Sequence, residues 1–339
     1  MPDFNCTNLE LVRVQMNSIW NDAAFKREIQ PEVAIVKALL EMQTADVRFF
    51  DAGDKKKKAK VYWVEACDGA VVDCDDSCTP DGAEIGSNCL DYDIQECKQS
   101  TFKIDDSVFY DNYIGFNEAV AKGLLKHTTL LDNQIEKFVI AKLDSFAGVN
   151  KYTADDKGDV VGNTTYIKGS YWNPSLMSYF AKVGSVNYID SSMMISGENM
   201  FDAWYRAGKN SDNANGAGDK NMFDSFNWFF DIKNFDATLG TKKTLMVSPN
   251  AAAFVSTHKF LTPDEVSNGA NITRFSIPSQ NLPGVTYDVV YRTECKDGGD
   301  HIIHYWTIKS RFDVFQSPVT CESECTGILS FTCGEAPAP

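Results

Sequence analysis

The sequence predicts an α+β fold, because one long helical pattern and several strand patterns occupy separate parts of the chain. Between residues 116 and 146, apolar residues recur at helical spacing without an internal proline, which is typical of an amphipathic helix. Two alternating segments, residues 286–294 and 301–315, flank the turn-forming residues 296–300 and predict a β-hairpin. Helix and sheet therefore contribute to one mixed architecture.

The long pattern at residues 116–146 has two interpretations. A single helix of this length would extend on the order of 45 Å, at 1.5 Å per residue. The alternative is a pair of helices that break near Gly123 or near Thr128 and Thr129.

The N-terminal part of the chain combines helical and strand patterns. Residues 9–22 and 31–42 show helical spacing, and Pro31 suits a first helical turn. The period then changes to two at residues 47–50 and 60–65, on either side of a polar turn. We therefore expect two helices followed by a β-hairpin.

The middle and the end of the chain mix short elements. The patterns predict helices at residues 176–183, 198–207 and 249–255, and strands at residues 193–196, 226–232 and 243–247. Residues 321–339 are expected to form a short tail after Pro318 stops the preceding strand.

Composition and charge limit the class of protein. The chain has 339 residues, with 47 acidic and 32 basic side chains and a net charge of −15. This length allows about two domains. The acidity argues against broad nucleic-acid binding, since phosphate contacts require clustered Lys and Arg. Neither a membrane-spanning segment nor a secretory signal pattern is found, so we expect a protein that is intracellular at synthesis and has no membrane partner.

Ten cysteines fall mainly into two clusters. The candidate disulfide or thiol residues are Cys67, Cys74, Cys78, Cys89, Cys97, Cys321, Cys325 and Cys333. Their spacing lacks the C-x2-C pairs that zinc sites favour, yet disulfides, zinc ligation and free thiols all remain open. The acidic segment at residues 67–97 has few bulky apolar residues, so it is expected to protrude as a loop held by its cysteines.

Other charged motifs favour structural interpretations. The lysine run at residues 55–58 is typical of a solvated turn, although it could contact phosphate. His301 and His304 are three apart on a predicted strand, so their side chains point to opposite faces and cannot share a metal ion. The aspartates of the acidic loop lack calcium-loop spacing. We expect no metal site.

Catalytic signatures are also missing from the sequence. It contains no nucleophile elbow, P-loop, dinucleotide fingerprint or H-E-x-x-H motif. Cys295 could approach His301 or His304 across the hairpin, but no third orienting group can be named. We therefore expect no enzyme, no catalytic residue and no cofactor.

The order of these elements resembles the tailed-bacteriophage major capsid protein, the Hong Kong ninety-seven fold. The resemblance covers most of the chain and concerns architecture, with the cysteine-containing expansion as the main departure. It implies an N-terminal arm (residues 1–44), an extended E-loop (45–110), a peripheral domain with a long spine helix (111–170 and 271–320), an axial domain (171–270) and a C-terminal tail (321–339).

This resemblance implies a structural function. The chain would self-assemble as hexamers and pentamers into an icosahedral shell that encloses double-stranded DNA without sequence-specific binding. Assembly would take place in the host cytoplasm, with scaffolding, portal and decoration proteins as further partners, and the product would be the virion capsid. The implied contacts between subunits are Val61, Tyr62, Trp63 and Val64 of the E-loop.

The resemblance also bears on the cysteines and leaves two alternatives. Some cysteines between residues 67 and 97 are expected to be disulfide-bonded in mature particles.

One alternative function is that of another virion protein, such as a double-jelly-roll capsid, tail or decoration protein, although the long helix argues against jelly rolls. The other is a secreted, disulfide-bonded binding or hydrolytic protein, which the missing signal pattern disfavours.

Overall fold

A computed structural model describes most of the chain. It covers residues 6–29, 33–42, 47–50, 58–65, 86–109, 113–153, 157–172, 176–189, 192–211, 226–260, 267–269, 272–296, 301–317 and 326–337. The helices in this part are α1 (Cys6–Trp20), α2 (Ala23–Ile29), α3 (Ala34–Met42), α4 (Tyr113–Ser145), α5 (Leu176–Val186), α6 (Glu198–Ser211) and α7 (Ile232–Leu239).

The strands alternate with these helices and form three sheets. They are β1 (Val47–Phe50), β2 (Lys58–Glu65), β3 (Gly86–Asp93), β4 (Glu96–Asp105), β5 (Gly158–Val161), β6 (Thr164–Ile167), β7 (Met193–Ser196), β8 (Asn227–Phe230), β9 (Lys243–Val247), β10 (Ala252–Thr257), β11 (Ser267–Gly269), β12 (Ile272–Pro278), β13 (Thr286–Lys296), β14 (His301–Gln316) and β15 (Ile328–Cys333). The chain is therefore a mixed α and β protein, as the sequence predicts.

The chain divides into two compact units, each built from three separate segments. Unit 1 comprises Met1–Lys37, Gln95–Phe138 and Val255–Asp313. Unit 2 comprises Ala38–Ile94, Val139–Phe254 and Val314–Pro339.

Unit 1 contains most of a six-stranded sheet. Its strand order is β10-β14-β13-β12-β11, and β4 also pairs with β14. The antiparallel β13–β14 hairpin places Tyr291 opposite Trp306, and β4 places Phe102 beside the same tryptophan. The Phe102 ring stacks on the Trp306 ring at a centroid distance of 5.1 Å. Helix α4 supplies buried apolar side chains such as Val120 and Leu124 to the core of this unit.

Unit 2 contains a second six-stranded sheet, with the order β5-β6-β15-β9-β7-β8. Strand β15 lies inside it, parallel to β6 and antiparallel to β9. Helix α5 packs its apolar residues, among them Phe180, on Met246 and Phe331 of this sheet. The predicted helix–strand–helix order at residues 176–207 is confirmed as α5, β7 and α6.

Helix α4 is continuous, so the interpretation as a single helix is confirmed. It runs for 33 residues from Tyr113 to Ser145 and passes through Gly123 without a break. A Cβ atom built on Gly123 would lie 2.5 Å from Cε2 of Phe102. The glycine is therefore required by the close approach of β4 to the helix.

We expect that Gly123→Ala destabilises the protein, although alanine is usually favoured over glycine in a helix by about 1 kcal/mol. The Phe102 ring cannot retreat easily, because it stacks on both Trp306 and His127. Overpacking of this kind costs about 1–3 kcal/mol. Urea unfolding of the unassembled chain would measure the loss, and a gain in stability would contradict the expected packing.

Three predicted segments differ from the structure. Residues 249–255, predicted as a helix, lead into strand β10, because a strand buried on both faces loses the alternation that identifies strands. The predicted strand at residues 226–232 ends earlier, as β8, and Ile232 begins the unpredicted helix α7. Within the expected tail, β15 forms an interior strand of the sheet in unit 2.

None of the described helices is both long enough and apolar enough to cross a membrane.

Candidate functional site

The predicted subunit contacts lie on β2, the central strand of a separate three-stranded sheet. This sheet has the order β1-β2-β3 and is antiparallel throughout. Val61 is opposite both Val47 and Leu90, Tyr62 is opposite Cys89, and Trp63 is opposite Asn88. The hairpin predicted at residues 47–65 is confirmed, and the end of the supposed acidic loop forms β3. The side chains of the four predicted contact residues lie outside the described part.

Tyr92, on the third strand of this sheet, contacts another part of unit 2. The Tyr92 ring stacks on Phe315 at 4.3 Å between centroids. Its hydroxyl donates a hydrogen bond to the carbonyl oxygen of Gln316 over 3.5 Å. Burial raises the pKa of the Tyr92 hydroxyl.

The cysteines that the structure describes in full are free thiols. Cys97 and Cys295 are exposed, and Cys333 is half-buried at the end of β15. Of these three, Cys97 and Cys333 belong to the predicted clusters. A disulfide is therefore not supported at either residue. Cys89 lies on β3, but its side chain is not among those described. The remaining cluster members, Cys67, Cys74, Cys78, Cys321 and Cys325, lie outside the described residues.

The two strand histidines have different surroundings. His304 is buried, and its Nδ1 lies 2.7 Å from the Tyr291 hydroxyl. Burial lowers the pKa of this imidazole, because its charged form would lose hydration. His304 therefore belongs to the aromatic core that surrounds Trp306.

His301 lies near two aspartates that sequence reasoning did not connect with it. One possible ligand atom from each of Asp105, Asp106 and His301 lies within 4.8 Å of the others. Asp105 accepts hydrogen bonds from the backbone and hydroxyl of Ser107, which lower the pKa of its carboxyl, and Asp106 accepts one from the backbone of Ile302. These hydrogen bonds account for the positions of both carboxylates without a bound cation.

Two buried acids on α4 were missed by the sequence analysis. Glu136 has no exposed surface, and its carboxylate accepts hydrogen bonds from the backbone N–H groups of Ile35 (2.7 Å) and Val36 (2.9 Å). Those two donors belong to the first turn of α3, where a helix leaves its N–H groups unpaired. The negative charge also suits the positive end of the helix dipole. Glu136 thus joins α3 to α4.

Asp132 lies one turn before Glu136 and is 1% exposed. Its carboxylate accepts hydrogen bonds from the hydroxyls of Tyr287 and Ser279. The same Ser279 oxygen accepts from the backbone of Asn281 and Leu282, so the acid stabilises the turn between β12 and β13. Burial raises the pKa of Asp132 from 3.8 to about 7, although the two hydroxyls lower it in part.

The sequence contains a signal for the two buried acids, Asp132 and Glu136. Asp132 and Glu136 are four residues apart, and each directly follows a buried apolar position of the helix, Leu131 and Ile135. Acids at this spacing share one side of the helix and fall close to its apolar face. An acid at such a position requires a partner, and the partners, in α3 and the β12–β13 turn, are distant in sequence.

Unit 2 exposes an aromatic surface, defined here as Phe201, Trp204, Tyr205, Trp228 and Phe230. The rings contact one another, with Trp204 lying 5.2 Å from Phe230 and Trp228 stacked on Phe230 at 5.6 Å. Trp204 and Tyr205 remain 36% and 48% exposed. Exposed aromatic groups of this kind are typical of interaction surfaces.

No protein-family model matches the sequence, and comparison with curated proteins also gives no match.

Comparison with solved structures gives matches over most of the chain. A cyanophage A-1(L) capsid structure covers 81% of this chain and 88% of its own, at 12% identity and a TM-score of 0.46. The match with the capsid of cyanophage P-SCSP1u covers 82% of this chain and 84% of that chain, at 10% identity and a TM-score of 0.44. The match with the capsid of Ralstonia phage GP4 covers 84% of this chain and 86% of that chain, at 9% identity and a TM-score of 0.41. The chain resembles phage capsid structures.

Proposed function

We propose that this chain is the major capsid protein of a tailed bacteriophage, with a structural and not a catalytic role. It self-assembles as hexamers and pentamers into an icosahedral shell. The shell encloses double-stranded DNA and does not bind it by sequence. Assembly takes place in the host cytoplasm, with scaffolding, portal and decoration proteins as further partners, and the protein ends in the virion.

The separate sheet β1–β3 carries this proposal. It shares no strand pairing with either six-stranded sheet in the described part of the chain. A small sheet is stable in water only where an apolar face is covered by packing. A neighbouring copy of the chain provides such packing in a shell, and β2 carries the proposed contacts Val61, Tyr62, Trp63 and Val64.

The order of the remaining elements supports the same function. In the proposed division, residues 1–44 form the N-arm and 45–110 the E-loop. Helix α4 is the spine helix of a peripheral domain made of residues 111–170 and 271–320. Residues 171–270, with α5, β7 and α6, form the axial domain, and residues 321–339 follow as the C-terminal segment. The continuous α4 disfavours the double-jelly-roll alternative, which is built from strands.

The charge of the chain agrees with an enclosing role. At −15, the protein repels a DNA backbone and gains no counterion-release energy from wrapping it. A shell needs only to confine its contents.

The test is assembly of the purified full-length chain, with and without a scaffolding partner. We expect capsomers, tubes or closed shells by sedimentation velocity and negative-stain electron microscopy. Trp63→Ala should weaken assembly, whereas Lys60→Ala on the same strand should not, because tryptophan is enriched among interface anchors and lysine is depleted from interface cores. A folded chain that stays monomeric under all these conditions would overturn the proposal.

A further inference from the structure

Helix α5 ends in a turn that normally contains glycine. The backbone N–H of Ile189 donates to the carbonyl of Gly184 over 2.8 Å, and that of Tyr188 donates to the carbonyl of Ser185 over 3.4 Å. These two hydrogen bonds define a Schellman motif, in which the penultimate residue adopts a left-handed conformation. Here that residue is Tyr188, with φ at +55°.

This position disfavours a tyrosine for two reasons. In the left-handed region, a Cβ atom lies too close to the following carbonyl oxygen, so glycine is preferred. Tyr188 is also 89% exposed, so its ring gains almost nothing from burial within the chain. The turn itself is held by other groups, since Asn187 donates from its side chain to the carbonyl of Val183 and to Asn150. The stability of the fold therefore does not explain the residue.

Resting on the function proposed above, we infer that Tyr188 is an anchor residue that inserts into the aromatic surface of a second copy of this chain. Strain at a solvent-facing position indicates a functional constraint. A tyrosine on a well-fixed turn offers a large ring at low entropic cost, and such residues are typical centres of protein interfaces.

The described residues favour the aromatic surface of another copy as the place where the Tyr188 ring binds. Copies with a net charge of −15 repel one another, so contacts between them should be centred on uncharged groups. The aromatic surface offers exposed ring area at Trp204 and Tyr205. An aromatic pair in offset or edge contact adds to the energy of area burial.

Charge complementarity favours contact between the anchor and the aromatic surface over contact between two anchors. Lys182 is the charged residue of α5, and it precedes Tyr188 by less than two turns. Asp202 is exposed on α6, two residues before Trp204. Among the side chains that the structure describes, contact between two anchors would bring two copies of Lys182 together, whereas contact between anchor and surface would bring Lys182 towards Asp202. A contact between different surfaces of identical copies is the kind of contact that can close a ring, as capsomers require.

The test compares variants of the full-length chain by the protein concentration that assembly requires. Tyr188→Gly removes the ring and keeps the turn, because glycine adopts the left-handed conformation without strain. We expect it to raise the required concentration about tenfold or more, as for loss of an interface anchor. The unassembled variant should melt no lower than the wild type, which separates loss of contact from loss of folding.

Three further variants complete the experiment. Tyr188→Phe keeps the ring and should assemble like the wild type. Asn250→Gly removes the other described left-handed residue that is not glycine, at φ +61°, and should also assemble normally. Tyr205→Ala should weaken assembly, and its combination with Tyr188→Gly should weaken it no further than the stronger single variant, because both remove one contact.

The outcomes distinguish this inference from the function on which it rests. If the wild type assembles and Tyr188→Gly assembles at the same concentration, the anchor role is wrong and the capsid function stands. If the wild-type chain forms no assembly under any condition, both are wrong. If Tyr188→Gly and Tyr205→Ala weaken assembly additively, the two residues contact different partners and the proposed pairing is wrong.

Discussion

We expect Asp132→Asn to gain stability relative to the wild type as the pH rises from 4 to 7.5. The quantity compared is the free energy of unfolding of the variant minus that of the wild type. The carboxyl has a pKa of about 7 when folded, against a usual value of 3.8, because burial penalises its charged form. Between these two values the folded state holds a proton that the unfolded state has released. Wild-type stability therefore falls as pH rises through this window.

The size of the effect follows from the shift. A change of one pKa unit corresponds to 1.36 kcal/mol, so Asp132 removes about 4 kcal/mol between pH 4 and pH 7. An asparagine does not titrate, and its side-chain oxygen can still accept from Tyr287. We expect the difference in free energy of unfolding between variant and wild type to change by about this amount. Chemical unfolding of the unassembled chain across this range measures it.

A control variant tests the proposed cause. Tyr287→Phe removes a hydroxyl that lowers the pKa of Asp132, and keeps the carboxyl. The pH-dependent loss of stability should then remain and extend to higher pH. If the free energies of unfolding of Asp132→Asn and the wild type change in parallel from pH 4 to 7, Asp132 is not protonated in the folded protein over this range, and the prediction is wrong.

A second large effect is expected at Glu136. Its replacement by alanine removes both acceptors from the N–H groups of Ile35 and Val36, which lie in buried residues. Unpaired buried donors and the loss of a charge-assisted contact together cost about 3–5 kcal/mol. Glu136→Gln keeps one acceptor oxygen and should lose less. Equilibrium unfolding of the unassembled chain at pH 7 gives both values.

The same helix offers a matched control. Glu118 forms an exposed ion pair with Lys122 one turn away, at 2.7 Å. Such pairs contribute less than about 0.5 kcal/mol, so Glu118→Ala should be nearly neutral. A loss below about 1 kcal/mol for Glu136→Ala would mean that the start of α3 is held mainly by its apolar residues and not by this carboxylate.

Sequence patterns predicted elements with a regular apolar spacing, and also short apolar runs with polar boundaries. Helix α4 and the β13–β14 hairpin are of the first kind, and both were found close to the expected residues. The strand at Met193–Ser196 was also predicted, because a short apolar run is bounded there by polar residues. In each case a local pattern is sufficient to identify the element.

The remaining features depend on partners that are distant in sequence. Strand β10 is buried along nearly its whole length and lacks strand alternation, so Pro249 indicated the start of a helix there, and only the pairing with β14 defines the strand. The role of Glu136 depends on α3, about 100 residues earlier in the chain. The unusual conformation of Tyr188 is a backbone property that a tyrosine in the sequence does not indicate. Long-range pairing and backbone geometry are the information that periodicity lacks.

The position of β15 has a consequence for the timing of folding on the ribosome. This strand lies between β6 and β9, so the sheet of unit 2 has a gap until residue 333 has been synthesised. In unit 1, β4 pairs with β14 across about 200 residues, from Asp105 opposite Ile303 to Glu96 opposite Phe312. Contacts this distant in sequence slow folding, because long loops must close first. Neither unit can therefore complete its sheet before these late strands have been synthesised.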